Sequence, residues 1–198
     1  MFKRICKITF IAHGATVYSM DGIINSNPKY PKLNDFGEEE IERVCEYLKK
    51  REVSYDKIYT CPSSYCIQTA NIIAKLFKQK AITVNLAQRN FGSWNGSFYM
   101  DLFKEFGSNA LAQTPENGES LVEFNKRISK EIDKLIKENK GTRIIIVATP
   151  EIIQSAIAKA LSIKPENQHK TLIKTGSLTQ ISYFENWSSL IYSGYLPL

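Results

Sequence analysis

The stretch Ile8–Thr16 constrains the fold more than any other part of the sequence. It runs from apolar and β-branched residues into a polar turn, as a buried strand does where it reaches the edge of a sheet. At its end stands His13, one of two histidines in the chain, followed by Gly14, which allows close backbone packing. Because ligands of open α/β sheets bind outside the carboxyl ends of the strands, we predict a functional position at His13. The alternative is a histidine that merely ends a strand.

Predicted strands and helices alternate along most of the remaining chain. The strands are predicted over 57–60, 82–86 and 143–147, and three more follow near the end, over 171–173, 178–184 and 189–192. The alternation predicts right-handed βαβ crossovers. We therefore expect residues 1–198 to form a single domain, an α/β fold built as a three-layer α/β/α sandwich. Its central sheet is mostly parallel, and the late strands extend one edge in antiparallel fashion.

Several helix starts are marked by capping signals. Asp35 and Glu38 have the spacing of a capping box at the first long helix, and Ser120 and Glu123 have it at a later one. Thr149, followed by a proline, combines a hydroxyl N-cap with proline at the first helical position. Pro62 opens another helix. The loops 14–33 and 87–117 are long and rich in turn residues, and long loops inside small domains are usually functional.

The charge distribution does not indicate a nucleic-acid site. The formal net charge is +6, but basic residues stand near acids at helical spacing, as Glu39 does with Arg43 and Glu123 with Arg127. This pattern is typical of solvated helix faces. We expect neither a nucleic-acid nor a membrane partner, and no stretch approaches transmembrane length. A cytoplasmic location is expected.

The motifs of several other enzyme classes are missing from the sequence. There is no glycine-rich phosphate loop and no Gly-x-Ser-x-Gly elbow. The four cysteines form no Cys-x-x-Cys pair and have no zinc spacing, so we expect no metal and no cofactor. Cys61 and Cys66 lie at a strand-to-helix turn, but no arginine follows them closely enough to hold a phosphate. We interpret both as packing residues.

Six segments, taken in order, resemble the histidine phosphatase superfamily, the phosphoglycerate-mutase-like fold, over nearly the whole chain. The family's Arg-His-Gly-Glu-Thr is similar to Ala-His-Gly-Ala-Thr at 12–16, and its Leu-Thr-x-x-Gly to Leu-Asn-Asp-Phe-Gly at 33–37. Its Ser-Pro-x-x-Arg-x-x-Gln-Thr-Ala corresponds to 61–70, and its Glu-x-x-Phe-Gly-x-Trp-x-Gly to 88–96. Gly-Glu-Ser-Leu stands at 118–121, with Arg127 in the expected place, and the family's strand-Ser-His-Gly-Gly corresponds to 147–151.

The resemblance implies roles that most of the matching positions cannot fill. In the family, a histidine at the position of His13 accepts a phosphoryl group, two arginines and a second histidine hold the phosphate, and a glutamate donates a proton. These last four positions carry Ala12, Tyr65, Thr149 and Gln88 here. An asparagine that commonly also touches the phosphate corresponds to Ser19. The remaining positions that the resemblance places at the phosphate pocket are Gly14, Thr16 and Arg89.

All of these replacements lower the expected rate of phosphoryl transfer. Phosphoryl transfer depends on positioning and on stabilising negative charge. Removing three charge-assisted contacts costs on the order of 10³–10⁶ in rate, and losing the acid costs about 10²–10⁴ more. We therefore predict a degenerate member, a pseudoenzyme with a binding or regulatory role. A second hypothesis is a divergent phosphatase or phosphomutase that still uses His13, and a third is a purely structural protein with a closed cleft.

Only a few nearby side chains could replace the missing residues that hold the phosphate in the family. The candidates are Arg89, by turning its guanidinium inward, and Lys29 or Lys32, by reaching in from the loop, but we expect all three to be solvated surface charges. Tyr65 is interpreted as an aromatic wall, and His169 is expected in an exposed loop. The partner under these hypotheses is a phosphorylated small molecule or a protein. The oligomeric state stays open.

Overall fold

A single six-stranded sheet organises the computed structural model, which describes residues 3–197. Its strands are β1 (Arg4–Ala12), β2 (Lys57–Thr60), β3 (Ala81–Thr83), β4 (Thr142–Ala148), β5 (Leu178–Phe184) and β6 (Ser188–Tyr195). The order across the sheet is β3-β2-β4-β1-β5-β6. The first four in that order are mutually parallel, β5 is antiparallel to β1, and β6 is antiparallel to β5. The predicted mostly parallel sheet with an antiparallel edge is confirmed.

Helices cover both faces of the sheet. They are α1 (Val17–Asp21), α2 (Asp35–Lys50), α3 (Ser64–Leu76), α4 (Tyr99–Phe106), α5 (Leu121–Glu138) and α6 (Pro150–Leu161), with 3₁₀ turns at Gly92–Trp94, Gly107–Ala112 and Pro165–Lys170. The helix α2 packs against α3, and α5 packs against α6. The chain winds from β1 through β2 to β3 in one direction, then returns through β4 to β5. With right-handed crossovers, this reversal puts the two helix pairs on opposite faces.

The central strands are buried on both faces. The residues of β4 from Ile144 to Ala148 have no exposed surface, and neither do Ile8, Phe10 and Ile11 of β1. Continuous apolar runs rather than alternating ones are what a strand between two helix layers requires. Each fully buried aliphatic side chain stabilises the fold by about 1.5–3 kcal/mol relative to exposure. The opening stretch of the sequence therefore lies at the centre of the core.

The two long loops pack on each other to form a cap over one end of the sheet. A second apolar cluster joins Ile24 from the first loop to Phe91, Leu102 and Ala110 from the second. The backbone amide of Ile24 donates to the Ser97 carbonyl at 2.8 Å, which ties the loops together. The cap also contains α1, a short helix that the sequence patterns did not predict.

Two predicted strands differ from the structure. The third strand covers 81–83 rather than 82–86, because the Leu86 amide bonds to the Val84 carbonyl at 2.8 Å and turns the chain away. The segment 171–173 is not a strand, because Thr171 donates from both its amide and its hydroxyl to the Gln168 carbonyl, at 3.1 and 2.7 Å. The antiparallel edge consists of β5 and β6 alone.

Two predicted local contacts are corrected as well. The N-cap of α2 is Asn34 rather than Asp35, since the Asn34 Oδ1 accepts from the Gly37 amide at 2.8 Å. The capping box of Ser120 and Glu123 is confirmed. Because the Glu123 carboxylate is engaged there, Arg127 forms its ion pair with Glu119 instead, at 2.6 Å.

No helix within residues 3–197 is both long enough and apolar enough to cross a lipid bilayer.

Candidate functional site

The site lies where two parallel strands end side by side. Ala12 of β1 pairs with Ala148 of β4, so the residues that follow them, His13 and Thr149, are neighbours across the sheet. The direction of winding reverses between these strands, and such switch points form the ligand crevices of α/β sheets. A cavity of about 730 Å³ opens here, and both His13 and Thr149 line it. Its size is typical of small-molecule sites.

His13 is held as a neutral imidazole with one nitrogen directed to the cavity. Its Nδ1 lies 2.7 Å from the Gly14 carbonyl, which can only accept, so Nδ1 carries the proton and Nε2 carries the lone pair. Nε2 forms no hydrogen bond with any other residue of 3–197. Burial lowers the pKa of His13, while the Gly14 carbonyl and the Glu151 carboxylate act in the opposite sense. The ring therefore presents a hydrogen-bond acceptor.

The turn after His13 is held by two helices. The Gly14 amide donates to the Thr69 hydroxyl of α3 at 3.1 Å, and the Ala15 amide donates to Glu40 of α2 at 2.8 Å. Gly14 itself stands against Gly37, where a Cβ would meet the Gly37 carbonyl carbon at 2.9 Å. Only paired glycines permit this approach. The matched segments 12–16 and 33–37 thus meet in space and fix the position of the imidazole.

A neutral aromatic and amide pair occupies the positions where the resemblance expects a cation and an acid. The rings of Tyr65 and His13 lie 4.4 Å apart between centroids at an interplanar angle of 57°. The Tyr65 hydroxyl donates to the Gln88 Oε1, which also accepts from Ser63 at 3.1 Å, while the Gln88 Nε2 donates to the Asn25 carbonyl at 3.0 Å. Burial raises the pKa of Tyr65, so its hydroxyl stays protonated. This cluster carries no charge.

Arg89 is a buried structural group, so its expected role as a solvated surface charge is wrong. It is 2% exposed, and its guanidinium donates to the carbonyls of Glu119, Leu111 and Gln113 at 2.9, 2.7 and 2.6 Å. It also lies against the ring of Phe91. Three carbonyl acceptors compensate for its burial and hold the cap segments together. Although Arg89 lines the cavity, its guanidinium donates its hydrogen bonds to backbone carbonyls.

Thr149 occupies the N-cap position of α6, but its hydroxyl does not cap the helix. Oγ1 has no hydrogen-bond partner within residues 3–197, although the residue is only 3% exposed. A buried hydroxyl without a partner costs about 1–3 kcal/mol. The prediction of a hydroxyl N-cap is therefore wrong for the side chain. The residue lines the cavity, but its hydroxyl oxygen is itself buried.

Thr16 and Ser19 line the cavity but are occupied by each other. The Thr16 hydroxyl accepts from the Ser19 amide at 3.1 Å, and the Ser19 hydroxyl accepts from the Thr16 amide at 2.9 Å. This capping box begins α1. Both hydroxyls are thus used in local structure at the mouth of the cleft.

The structure brings most of the predicted site residues around one cavity. Those that line it are His13, Thr16, Ser19, Tyr65, Gln88, Arg89 and Thr149. Ala12 instead lies fully buried in the main core cluster, and Gly14 acts behind the imidazole through its backbone. Lys29 and Lys32 are exposed, as expected, and lie outside the lining.

Three further lining residues, Glu151, Glu40 and His169, were missed or misjudged. Glu151 accepts from the Tyr99 hydroxyl at 2.8 Å, and Glu40 accepts from Ala15 and from the Thr175 hydroxyl at 2.9 Å. His169, expected in an exposed loop, is half-buried in a 3₁₀ turn, and its Nδ1 is buried without a partner among residues 3–197. Glu151 could have been found, because it falls in the last matched segment. Nothing local in the sequence marks the others.

No group of three or more histidine, cysteine, aspartate or glutamate side chains within residues 3–197 is placed to hold a metal ion. The charges that line the cavity are Glu40, Glu151, Arg89 and Lys174, apart from His169 and the neutral His13.

Comparison with known proteins agrees with the fold and the order of the segments. The chain is 29% identical to phosphoglycerate mutase-like protein 4 of Arabidopsis thaliana over 78% of its length and 70% of that protein. It is 22% identical to a broad-specificity phosphatase of Saccharomyces cerevisiae, over 96% of its length and 84% of that protein. A phosphoserine phosphatase of Entamoeba histolytica, solved with phosphoserine, superposes with a TM-score of 0.83 at 20% identity, covering 97% of this chain and 98% of that one. The profile of the histidine phosphatase superfamily (branch 1) matches residues 8–191, and the chain belongs to that family.

Proposed function

We propose that this chain is a degenerate histidine-phosphatase-fold protein. It binds a ligand in the cavity at His13 but lacks ordinary phosphatase or phosphoglycerate mutase activity. The observation that carries the proposal is the neutral cluster of Tyr65, Gln88 and Ser63 beside His13. A phosphoryl group in transfer needs positive charge or donors around its oxygens and an acid for its leaving group. This cluster supplies neither, because its polar atoms bond to one another and to the backbone.

The start of α6 adds a second argument against phosphate. A helix N-terminus normally attracts anions through its free amides and its dipole. Here the first helical residue is Pro150, which has no N–H, and Glu151 places a carboxylate in the same turn. That carboxylate lines the cavity and raises the pKa of His13 against the effect of burial, which indicates that its negative charge reaches the imidazole.

The divergent-enzyme hypothesis has one observation in its favour. His13 donates through Nδ1 and leaves Nε2 free toward the cavity, which is what a phosphoryl acceptor needs. The groups that would have to hold the phosphate are less favourable, because Arg89 is committed to three carbonyls and Lys174 is exposed. A nucleophile without its electrostatic surroundings contributes little, since stabilisation of developing charge is usually the largest effect.

The hypothesis of a closed cleft is the least supported of the three. It requires that no ligand-sized space remain at His13. The cavity of about 730 Å³ runs against that requirement. Binding, rather than a purely structural role, is therefore the function that the geometry supports best.

A phosphomonoesterase assay tests the proposal. The wild-type protein and His13→Ala are compared on 4-nitrophenyl phosphate, phosphoserine and 3-phosphoglycerate across the neutral pH range, with the yeast broad-specificity phosphatase as a positive control. We expect the two proteins to be indistinguishable, because the surroundings that make the histidine a catalyst are missing. Turnover by the wild type that His13→Ala abolishes would show the divergent enzyme instead.

A further inference from the structure

The floor of the cavity presents hydrogen-bond acceptors where a phosphate site needs donors. His13 offers the lone pair of Nε2, because its proton is held on Nδ1 by the Gly14 carbonyl. Thr149 lines the cavity next to His13, but its hydroxyl oxygen is buried and has no partner within residues 3–197. Glu151 offers a carboxylate, of which one oxygen accepts from Tyr99 and the other forms no hydrogen bond with residues 3–197.

The two acceptors, His13 and Glu151, belong to one corner of the molecule. His13 and Thr149 follow the paired residues Ala12 and Ala148, and Glu151 stands two residues beyond Thr149 in the first turn of α6. The other carboxylate of the lining, Glu40, is already satisfied by the Ala15 amide and the Thr175 hydroxyl. Glu151 is therefore the lining carboxylate with one oxygen that accepts no hydrogen bond within residues 3–197, and the Arg89 guanidinium acts on it electrostatically without bonding to it.

We propose that the cavity binds a ligand bearing a primary ammonium group, which donates to Glu151 and His13. A primary ammonium combines N–H donors with one positive charge, which matches a carboxylate beside a neutral acceptor. A phosphate group in the same place would meet a carboxylate and a lone pair. This inference rests on the proposed function, because it requires that His13 act as an acceptor of hydrogen bonds rather than of phosphoryl groups.

The rest of the cavity indicates an apolar or aromatic body attached to the amine. The rings of Tyr65 and Tyr99 border the floor, and Phe36 and Leu172 line the cavity with exposed fractions of 49% and 73%. The aromatic faces also attract a cation at close range. The available volume exceeds what an ammonium ion alone needs, so the ligand class is an arylalkyl or alkyl primary amine.

Calorimetric titration with four matched probes tests this inference. The probes are 2-phenylethylamine, its N,N,N-trimethyl derivative, 2-phenylethanol and 2-phenylethyl phosphate, each added to wild type, Glu151→Gln and Glu138→Gln. We expect the primary amine to bind the wild type about tenfold or more tightly than the other probes, because only it carries both the charge and three N–H donors.

The two glutamate variants separate the local charge from the net charge. Glu151→Gln keeps an oxygen that can accept from Tyr99 but removes the carboxylate, so amine binding should weaken about tenfold or more. Glu138 is exposed at the end of α5 and does not line the cavity, so Glu138→Gln should leave amine binding unchanged. Equal affinity of the wild type and Glu151→Gln for the amine would overturn the inference.

A spectroscopic measurement on the wild type tests the inference even where a variant fails to fold. The chain has two histidines, so the ¹⁵N resonances of the imidazole of His13 can be assigned with one substitution of His169. Addition of the amine should shift the Nε2 resonance of His13 as its lone pair accepts a hydrogen bond. No shift at saturating amine, or tighter binding of the phosphate ester, contradicts the inference. Neither result depends on whether the protein hydrolyses phosphate esters.

Discussion

His13 is buried beside a neutral tyrosine and a neutral glutamine, and this makes it a different chemical group from a histidine in water. The Gly14 carbonyl fixes the tautomer of His13, and Tyr65 covers one side of its ring at 4.4 Å. Tyr65 and Gln88 depend on each other, since the tyrosine hydroxyl donates to the glutamine oxygen. Without Gln88 the buried Tyr65 hydroxyl would lose the acceptor that it uses here.

The buried imidazole should make stability depend on pH. Because burial lowers the pKa of folded His13, the unfolded chain binds a proton more readily below the ordinary value of about 6.5. Stability is therefore lost as pH falls from about 6.5 toward the folded pKa, with Glu151 opposing part of the effect. We expect urea unfolding to show a larger loss between about pH 7.5 and 5.5 for the wild type than for His13→Asn.

The asparagine variant is the matched control, because its amide can donate to the Gly14 carbonyl without titrating. Other groups titrate equally in both proteins and cancel in the difference. Equal losses of unfolding free energy in the two proteins would show that His13 does not charge at a lowered pKa.

At the scale of elements, the starts of two helices shape the cleft. The first turn of α2 contacts the loop after His13 through Gly37. Thr149, Pro150 and Glu151, at the start of α6, line the cavity. Arg127 of α5 supports the opposite wall, because its guanidinium bonds to the carbonyls of Ala87 and Gln88 at 2.7 and 2.9 Å.

Gly37→Ala should destabilise the protein by about 1–3 kcal/mol. Alanine favours a helix over glycine by about 1 kcal/mol, but here its Cβ would stand 2.6 Å from the Ala15 nitrogen, and a backbone atom cannot move aside as a side-chain end can. The overlap outweighs the gain in helix propensity, so the free energy of unfolding should fall. Chemical denaturation measures the effect.

Glu39→Ala on the exposed face of the same helix is the control. It removes one distant ion pair with Arg43, at 3.9 Å, and should change stability by less than about 0.5 kcal/mol. A neutral or stabilising Gly37→Ala would mean that the loop after His13 can shift to accommodate a methyl group.

At the scale of the whole molecule, the core covers almost every thiol. Cys6, Cys61 and Cys66 are 1%, 0% and 0% exposed, and Cys45 is half-buried with its pKa raised by burial to about 11. Burial of this kind agrees with the interpretation of Cys61 and Cys66 as packing residues. None of the four forms a disulfide.

Thiol titration with Ellman's reagent checks this arrangement. We expect no more than one thiol, that of Cys45, to react in the native protein, and all four to react in guanidinium chloride. Cys45→Ser identifies the native reaction. If two thiols still react rapidly in native Cys45→Ser, the buried placement of Cys61 and Cys66 is contradicted.

The sequence alone was sufficient for the location of the cleft and for the order of the main elements, apart from α1 and the segment 171–173. Continuous apolar runs such as 143–147 can be satisfied only between two helix layers, and their alternation with helices determines the crossovers. The strands 57–60 and 178–184 and the capping box at Ser120 follow from local patterns and are confirmed. These features depend on neighbours within a few residues, which the sequence displays directly.

Tertiary structure alone decided what the side chains of the cleft do. Arg89 donates to three carbonyls of a distant segment, and His169 borders the cavity. The Thr149 hydroxyl is unpaired among residues 3–197. Hydrogen bonds across 20 or more residues follow from packing geometry, as in the bond from Arg89 to Leu111. The sequence therefore determined where the cleft lies, and only the packed molecule decided which of its polar side chains are paired.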